Sequence, residues 1–278
     1  MISVAVCVLL LTGGYWSGIL ASPTERIIGG AIAKAGDYPY QVSLRYLSQH
    51  FCGGSIIGQN WILTAAHCVH SSVGINIKTA KIVVGTTTLN SGGQTYSIYN
   101  DIYHEDFDPV LMEYDIALLQ LKDSIKLSDT VKIIPFHSST PSDGSNCQVS
   151  GWGYTSTETS PNELRHITLT IMDLGDCKDF FSLATFKVSS KNLCTAGYIG
   201  KGVCNGDSGG PLVSNGRQAG LVSWGVPCGR GAPDVFTNVA KFSSWITDKT
   251  GISVAATKYS SQTFIVSLLI SLCVFLYN

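Results

Sequence analysis

Lys201-Gly-Val-Cys-Asn-Gly-Asp-Ser-Gly-Gly-Pro-Leu212 sets one serine, Ser208, inside a glycine-bracketed turn beside Cys204. A serine hydroxyl is a weak nucleophile at neutral pH. It needs a base within hydrogen-bond reach and donors aimed at the oxyanion that its attack creates. Glycines at 206, 209 and 210 suit the second need, because a backbone without Cβ can turn its N–H groups toward a substrate carbonyl, and Gly206 with Ser208 is the candidate pair. Taken alone the stretch reads equally as a glycine-rich surface turn, so the base and its orienting carboxylate have to come from elsewhere in the chain.

Upstream, Trp61-Ile-Leu-Thr-Ala-Ala-His67-Cys68 ends an apolar strand in a histidine, and Asp115 opens the buried-looking run Asp-Ile-Ala-Leu-Leu. An ionised carboxylate at the head of such a run is costly unless hydrogen-bonded, and an imidazole is its natural partner. His67, Asp115 and Ser208 thus offer a base, an orienter and a nucleophile, in a chain order known for this triad. Around them lie short strand-like runs, Gln41–Tyr46 with polar–apolar alternation, Lys81–Val84, Ile116–Leu121 and Gly220–Trp224, separated by turn residues. Helical spacing is clear near the end of the body, where Val239, Phe242 and Ile246 share a face behind Asn238, a candidate N-cap. A Ser/Thr/Pro/Gly-rich stretch from Ser138 to Ser145 divides the body into halves of similar size. The expected class is all-β with a C-terminal helix.

Thr-Ala-Ala-His-Cys, Asp-Ile-Ala-Leu-Leu, Gly151-Trp-Gly153, Gly-Asp-Ser-Gly-Gly-Pro and Ser223-Trp-Gly225, in this order and spacing, resemble the chymotrypsin-fold, trypsin-like serine proteases from Ile27 to about Gly251. The resemblance implies two six-stranded antiparallel barrels, at about 27–137 and 146–237, followed by a helix at about 238–250. It places catalysis in the cleft between them and implies hydrolysis of peptide bonds in protein or peptide substrates, without a cofactor. A basic residue before an aliphatic one, Arg26-Ile27, suggests an activation cut or an ordinary linker. The resemblance selects the first, implying a separate activating protease and a new Ile27 α-amino group that pairs with Asp207. Serpin- or Kunitz-type inhibitors are the partners it implies besides substrates. It also implies the bridges Cys52–Cys68, Cys177–Cys194 and Cys204–Cys228, which the residues alone leave open. Cys147 is left over, since Ser214 stands where relatives carry its partner, and is read as a free, buried thiol.

The specificity pocket departs from trypsin. The floor aspartate of trypsin-like relatives falls on Gly202, beside Val203, while Ser223, Trp224 and Gly225 form the expected wall and Asp234 stands where most relatives carry glycine. A carboxylate moved from floor to side resembles the brachyurins, the collagenolytic crustacean and insect branch, whose pockets are broad. The expectation is mixed cleavage after Arg/Lys and after Leu/Phe/Tyr/Gln; the alternative is a chymotrypsin-like pocket with Asp234 turned to solvent.

A net charge of −1 with 13% charged residues offers no basic field for nucleic acid. No Asp or Glu occurs from Tyr38 through Asn100, so the first-barrel calcium site of many relatives is not expected, and no Cys/His spacing suggests zinc. The body contains no Asn-x-Ser/Thr sequon. Residues 1–21 are apolar and end in small residues, as a secretory signal does, although no positive charge precedes the apolar run; a retained anchor is the alternative. Residues 22–26 would then be an activation propeptide. After the helix, a polar spacer and an uncharged run from Phe264 to Tyr277 match a GPI-anchor signal with Ser253 or Ala255 as attachment sites, against a short span or an uncleaved tail. The membrane enters through that tail alone, on an otherwise secreted, extracellular protein. The rival from another class is a non-catalytic protease homologue acting as a binding or adaptor protein.

Overall fold

The computed structural model describes residues 30–155, 161–226 and 228–254. The expected signal 1–21, the propeptide 22–26 with its Arg26–Ile27 bond, and the tail from 255 onward, including Ala255, lie outside the described residues.

The first barrel closes through β2 (Gln41–Tyr46), β3 (Gln49–Gly58), β4 (Trp61–Thr64), β5 (Lys81–Val84), β6 (Gln94–Tyr103) and β7 (Ala117–Leu121), hydrogen-bonded in the order β2-β3-β4-β7-β6-β5. The second is built from β8 (Asn146–Gly151), β9 (Arg165–Met172), β10 (Asn192–Thr195), β11 (Pro211–Ser214), β12 (Arg217–Gly225) and β13 (Asp234–Asn238). It runs β9-β10-β13-β12-β11-β8 and closes by the β8–β9 pairing, while β1 (Ala31–Ile32) adds to the free edge of β9. A short helix α1 (Leu174–Phe180) precedes β10, and α2 (Ser243–Thr250) ends the body. Both barrels are antiparallel, and their closure removes most of the edges that an open sheet would expose.

The run Ile-Ala-Leu-Leu-Gln-Leu has no polar face because β7 is covered on both sides. Ala117, Leu119 and Leu121 point into the first barrel with Val42, Leu44, Ile62 and Ile82, while Ile116 and Leu118 join a second cluster with Phe136, Val213, Leu221, Phe242 and Ile246 that lies between the barrels. A third cluster, around Val149, Leu169, Leu193 and Phe236, fills the second barrel.

Two local expectations change. The alternation of β2 suggested a solvated polar face, yet Gln41 and Ser43 are buried: that face meets the second barrel, where Ser150 Oγ donates to Gln41 Oε1 at 2.6 Å. Asn238 does not cap the final helix. It ends β13, its Nδ2 donates to Thr140 Oγ1, and a 3-10 turn at Val239–Phe242 precedes α2, whose N-cap position is Phe242. Val239, Phe242 and Ile246 still face the interbarrel cluster.

Three disulfides form, Cys52–Cys68, Cys177–Cys194 and Cys204–Cys228, and Cys147 is a buried free thiol. Its Sγ donates to Leu169 O, and burial pushes its pKa up to about 12, so it packs as a small apolar side chain. Ser214, opposite in the same barrel, donates to Asn146 O instead of meeting a sulfur. Among the described residues no helix is long and apolar enough to cross a membrane.

The backbones of the two barrels meet at Gly53, whose N–H donates to Ser208 O at 2.7 Å. A Cβ there would lie 3.0 Å from Gly210 Cα and 3.1 Å from Gly210 N, both backbone atoms that cannot rotate away. Gly53→Ala is expected to cost about 1–3 kcal/mol, seen in calorimetry as a thermal midpoint roughly 3–10 °C lower; an unchanged midpoint would contradict this approach.

Candidate active site

Chain geometry at the end of β4 brings the histidine to the barrel rim. Ala66–Cys68 forms a 3-10 turn directly after the strand, pinned by the Cys52–Cys68 bridge to β3. Asp115 lies just before β7 and is 1% exposed. Its Oδ1 accepts from the His67 backbone N–H at 2.8 Å, and its Oδ2 lies 2.8 Å from His67 Nδ1 and accepts from Ser223 Oγ at 2.5 Å. Thr237 Oγ1, from β13, donates to Asp115 O at 2.7 Å. The carboxylate can only accept, so Nδ1 carries the hydrogen and Nε2 is left with a free lone pair.

Electrostatics follow this geometry. Burial presses His67 toward its neutral form, but the Asp115 carboxylate outweighs it and raises the imidazole pKa above the ordinary value. For Asp115 burial pushes upward, and the facing imidazole with three donated hydrogen bonds more than offsets it, holding the carboxyl below its usual range.

Ser208 sits at the mouth of a cavity of about 130 Å³, with Val203, Cys204 and Asn205 on one side, Val222–Gly225 of β12 on the other, and Asp234 in the wall. No hydrogen bond joins Ser208 Oγ to His67 among the described residues; Nε2 lies 3.7 Å from Cys68 Sγ. The serine turn is fixed through its backbone: Ser208 O accepts from Gly53, Gly209 N–H donates to Val222 O, and Gly210 N–H donates to Asp207 O. Gly206 (φ +96°) and Gly209 (φ +73°) adopt left-handed conformations that a side chain would strain. Among the described residues, the N–H groups of Gly206 and Ser208 have no hydrogen-bond partner. Gly206 O is held by His50, a residue that no sequence motif singles out. His50 Nε2 donates to it at 2.9 Å, while His50 Nδ1 accepts from Ser43 Oγ; burial pushes the His50 pKa down to about 4, so the ring stays neutral.

Asp207 is 1% exposed, with its carboxylate packed against Gly151 and Gly153 at the end of β8. Cys204 N–H and Gly153 N–H donate to its two oxygens at 2.9 and 2.8 Å. A side chain at Gly151 or Gly153 would collide with this carboxylate, which gives Gly-Trp-Gly a steric reason. Burial pushes Asp207 up to about 6 despite those two donors.

Asp234 is buried, 4% exposed, and its Oδ2 accepts from Val203 N–H at 3.1 Å. A Cβ at Gly202 would stand 2.8 Å from that oxygen, so a side chain at 202 would force the Asp234 carboxylate out of the place it occupies. The alternative in which Asp234 turns to solvent does not occur.

The donors closest to a metal-binding arrangement among the described residues are those of Cys52, His67 and Cys68, but both sulfurs are bonded to each other and His67 Nδ1 serves Asp115. In the loop after β5 the polar side chains are neutral, with Thr86 Oγ1 donating to Ser91 O and Thr88 Oγ1 bonded to Ser91, and none is a carboxylate of the kind that calcium sites favour.

A protein-family model described as Trypsin matches residues 27–246. Trypsin delta of Drosophila melanogaster is 35% identical over 249 residues, covering 88% of this chain and 96% of that protein. Trypsin epsilon of Drosophila erecta is 36% identical over 249 residues (88% and 95%), and trypsin alpha-4 of Lucilia cuprina 36% over 231 residues (82% and 89%). These relatives are insect trypsins, so the narrower likeness to brachyurins rests on the pocket residues alone. With two closed barrels and the family match over most of its length, the chain belongs to the trypsin family of serine endopeptidases.

Proposed function

We propose that this endopeptidase is secreted as a zymogen and that its side-walled pocket accepts both basic and large apolar residues before the scissile bond. In this reading Ser208 Oγ attacks the substrate carbonyl and His67 Nε2 takes its proton. Asp115 holds the imidazole in the tautomer that leaves Nε2 free and stabilises the imidazolium. The unpaired N–H groups of Gly206 and Ser208 suit the oxyanion, with His50 positioning the Gly206 peptide. His67 then protonates the leaving amine, and a water deprotonated by the same nitrogen releases the acyl group from Ser208. The Ser208–His67 hydrogen bond forms when substrate fills the cleft, as apo catalytic hydrogen bonds commonly tighten.

Activation is read as cleavage after Arg26. Asp207 supports this reading: it is a buried carboxylate whose two donors are neutral N–H groups, and burial has pushed its pKa up to about 6. An α-ammonium group from Ile27 supplies the missing cation, and losing such a pair costs about 3–5 kcal/mol, enough to hold the precursor largely inactive.

The observation that carries the specificity reading is the buried Asp234 opposite Gly202. With no floor charge, a bound Arg or Lys reaches the carboxylate from the side and through water, while long apolar side chains lie along Val203 and the glycine walls. Such a pocket matches the brachyurin pattern within an insect-trypsin background.

After cleavage behind Arg26, diisopropyl fluorophosphate is expected to label Ser208, and a peptide-library profile to show cleavage after Arg/Lys and after Leu/Phe/Tyr/Gln. Asp234→Gly should lower the Arg-over-Leu ratio of kcat/KM at least about tenfold, the scale of a lost hydrogen bond to a charged group. Absence of labelling would favour the adaptor reading; cleavage after basic residues alone, or an unchanged ratio in Asp234→Gly, would refute the pocket. For the tail, full release from cells by phosphatidylinositol-specific phospholipase C is the expected result, and a mature chain still holding Phe264–Asn278 would exclude a GPI anchor.

A further inference from the structure

The wall of the specificity pocket holds a carboxylate with almost nothing to keep it charged. Asp234 is 4% exposed, and among the described residues its single hydrogen-bond donor is Val203 N–H. The backbone around it is glycine: a Cβ at Gly202 would meet Oδ2, one at Gly225 would lie 3.8 Å from Oδ1, and Gly229 backs onto Gly202. None of these positions can offer a cation.

We propose that proton occupancy of Asp234 selects the substrate class: the neutral carboxyl admits apolar and amide side chains, and the carboxylate admits Arg and Lys. This inference rests on the mixed-specificity reading and deepens it. Substrate contact makes Asp234 a specificity residue whose character changes with pH, unlike a floor aspartate held permanently ionised.

The groups packed against Asp234 support such a change near neutrality. On β10 its cross-strand partner is Thr195, whose buried hydroxyl has no partner among the described residues and carries no charge. On β12, Ser223 is committed to Asp115 Oδ2, and Trp224 is uncharged. On the serine segment, Asp207 is the one charged side chain that bears on Asp234, and it disfavours ionisation; Lys201 at the head of that segment and Arg230 in the loop before β13 are exposed. Burial is the largest cause, Val203 N–H opposes it, Asp207 adds to it, and together they push Asp234 up to about 7. Pairing Asp207 with the Ile27 ammonium in the activated enzyme removes the smallest of these contributions and leaves the largest. The sign is then fixed: the neutral form dominates below about pH 7 and the anion above it.

The test is kcat/KM of the activated enzyme for two peptides differing only in Arg or Leu before the scissile bond, from pH 5.5 to 9. Taking their ratio cancels the titration of His67. The Arg-over-Leu ratio should rise at least about tenfold between pH 6 and 8 and level above, following a single ionisation near neutrality. Asp234→Asn keeps the shape and stays uncharged, so its ratio should be low and flat. A flat wild-type ratio that Asp234→Asn still lowers at every pH would overturn the proton switch and leave the mixed pocket standing. A ratio that neither Asp234→Asn nor Asp234→Gly alters at any pH would overturn the pocket reading itself. A rise that persists in Asp234→Asn would assign the titration to another group and refute the inference.

Discussion

The buried carboxylate of Asp115 is the point on which the site depends. It belongs to the first barrel, yet two of the hydroxyls bonded to its residue, those of Ser223 and Thr237, come from β12 and β13 of the second. Removing an ion from water is expensive, and the cost is offset here only while both barrels hold their donors in place. The docking of the barrels and the orientation of His67 are therefore one condition. If the contacts of Asp115 with β12 and β13 open, the carboxylate loses compensation at the same moment that the imidazole loses its anchor.

Three buried carboxylates among the described residues form a series set by what faces them. Asp115 has an imidazole and three donated hydrogen bonds, and its pKa is held low. Asp207 has two backbone N–H donors, and burial pushes it up to about 6. Asp234 has one such donor, and it reaches about 7. In the proposed reading the same chemical group fixes a base, awaits a cation and lines a substrate pocket, according to the number and charge of its partners. Each of the last two is given room by glycine: Gly151 and Gly153 for Asp207, Gly202 for Asp234.

The all-β class and the two barrels were legible because short strands with tight turns leave a plain pattern, and because five motifs fell in family order. His67, Asp115 and Ser208 could be named from residue type and neighbours. What stayed hidden was long-range pairing. Ser223 lines the pocket as the sequence suggested, but its hydroxyl also reaches Asp115 across a separation of 108 residues, which no local pattern encodes. His50 had no signal at all, since its role comes from meeting Gly206, 156 residues away. The polar face of β2 was misread for the same reason: alternation predicts a buried and a solvated side, and cannot show that another barrel covers the second. Asn238 was misread because an N-cap residue and a strand-ending asparagine look alike until the 3-10 turn behind it is seen.

In the proposed mechanism His67, oriented by Asp115, is the base that activates Ser208. The most direct measurement is the pH dependence of kcat/KM for the activated enzyme beside Asp115→Asn. His67 must be neutral to act, and its pKa is raised, so activity should fall as pH drops through a limb above about 6.5, the ordinary imidazole value. The asparagine variant, which can hold the wrong tautomer, should lose about 10⁴-fold in kcat near neutral pH. An Asp115→Asn enzyme within tenfold of the wild type, with an unshifted acid limb, would contradict the account.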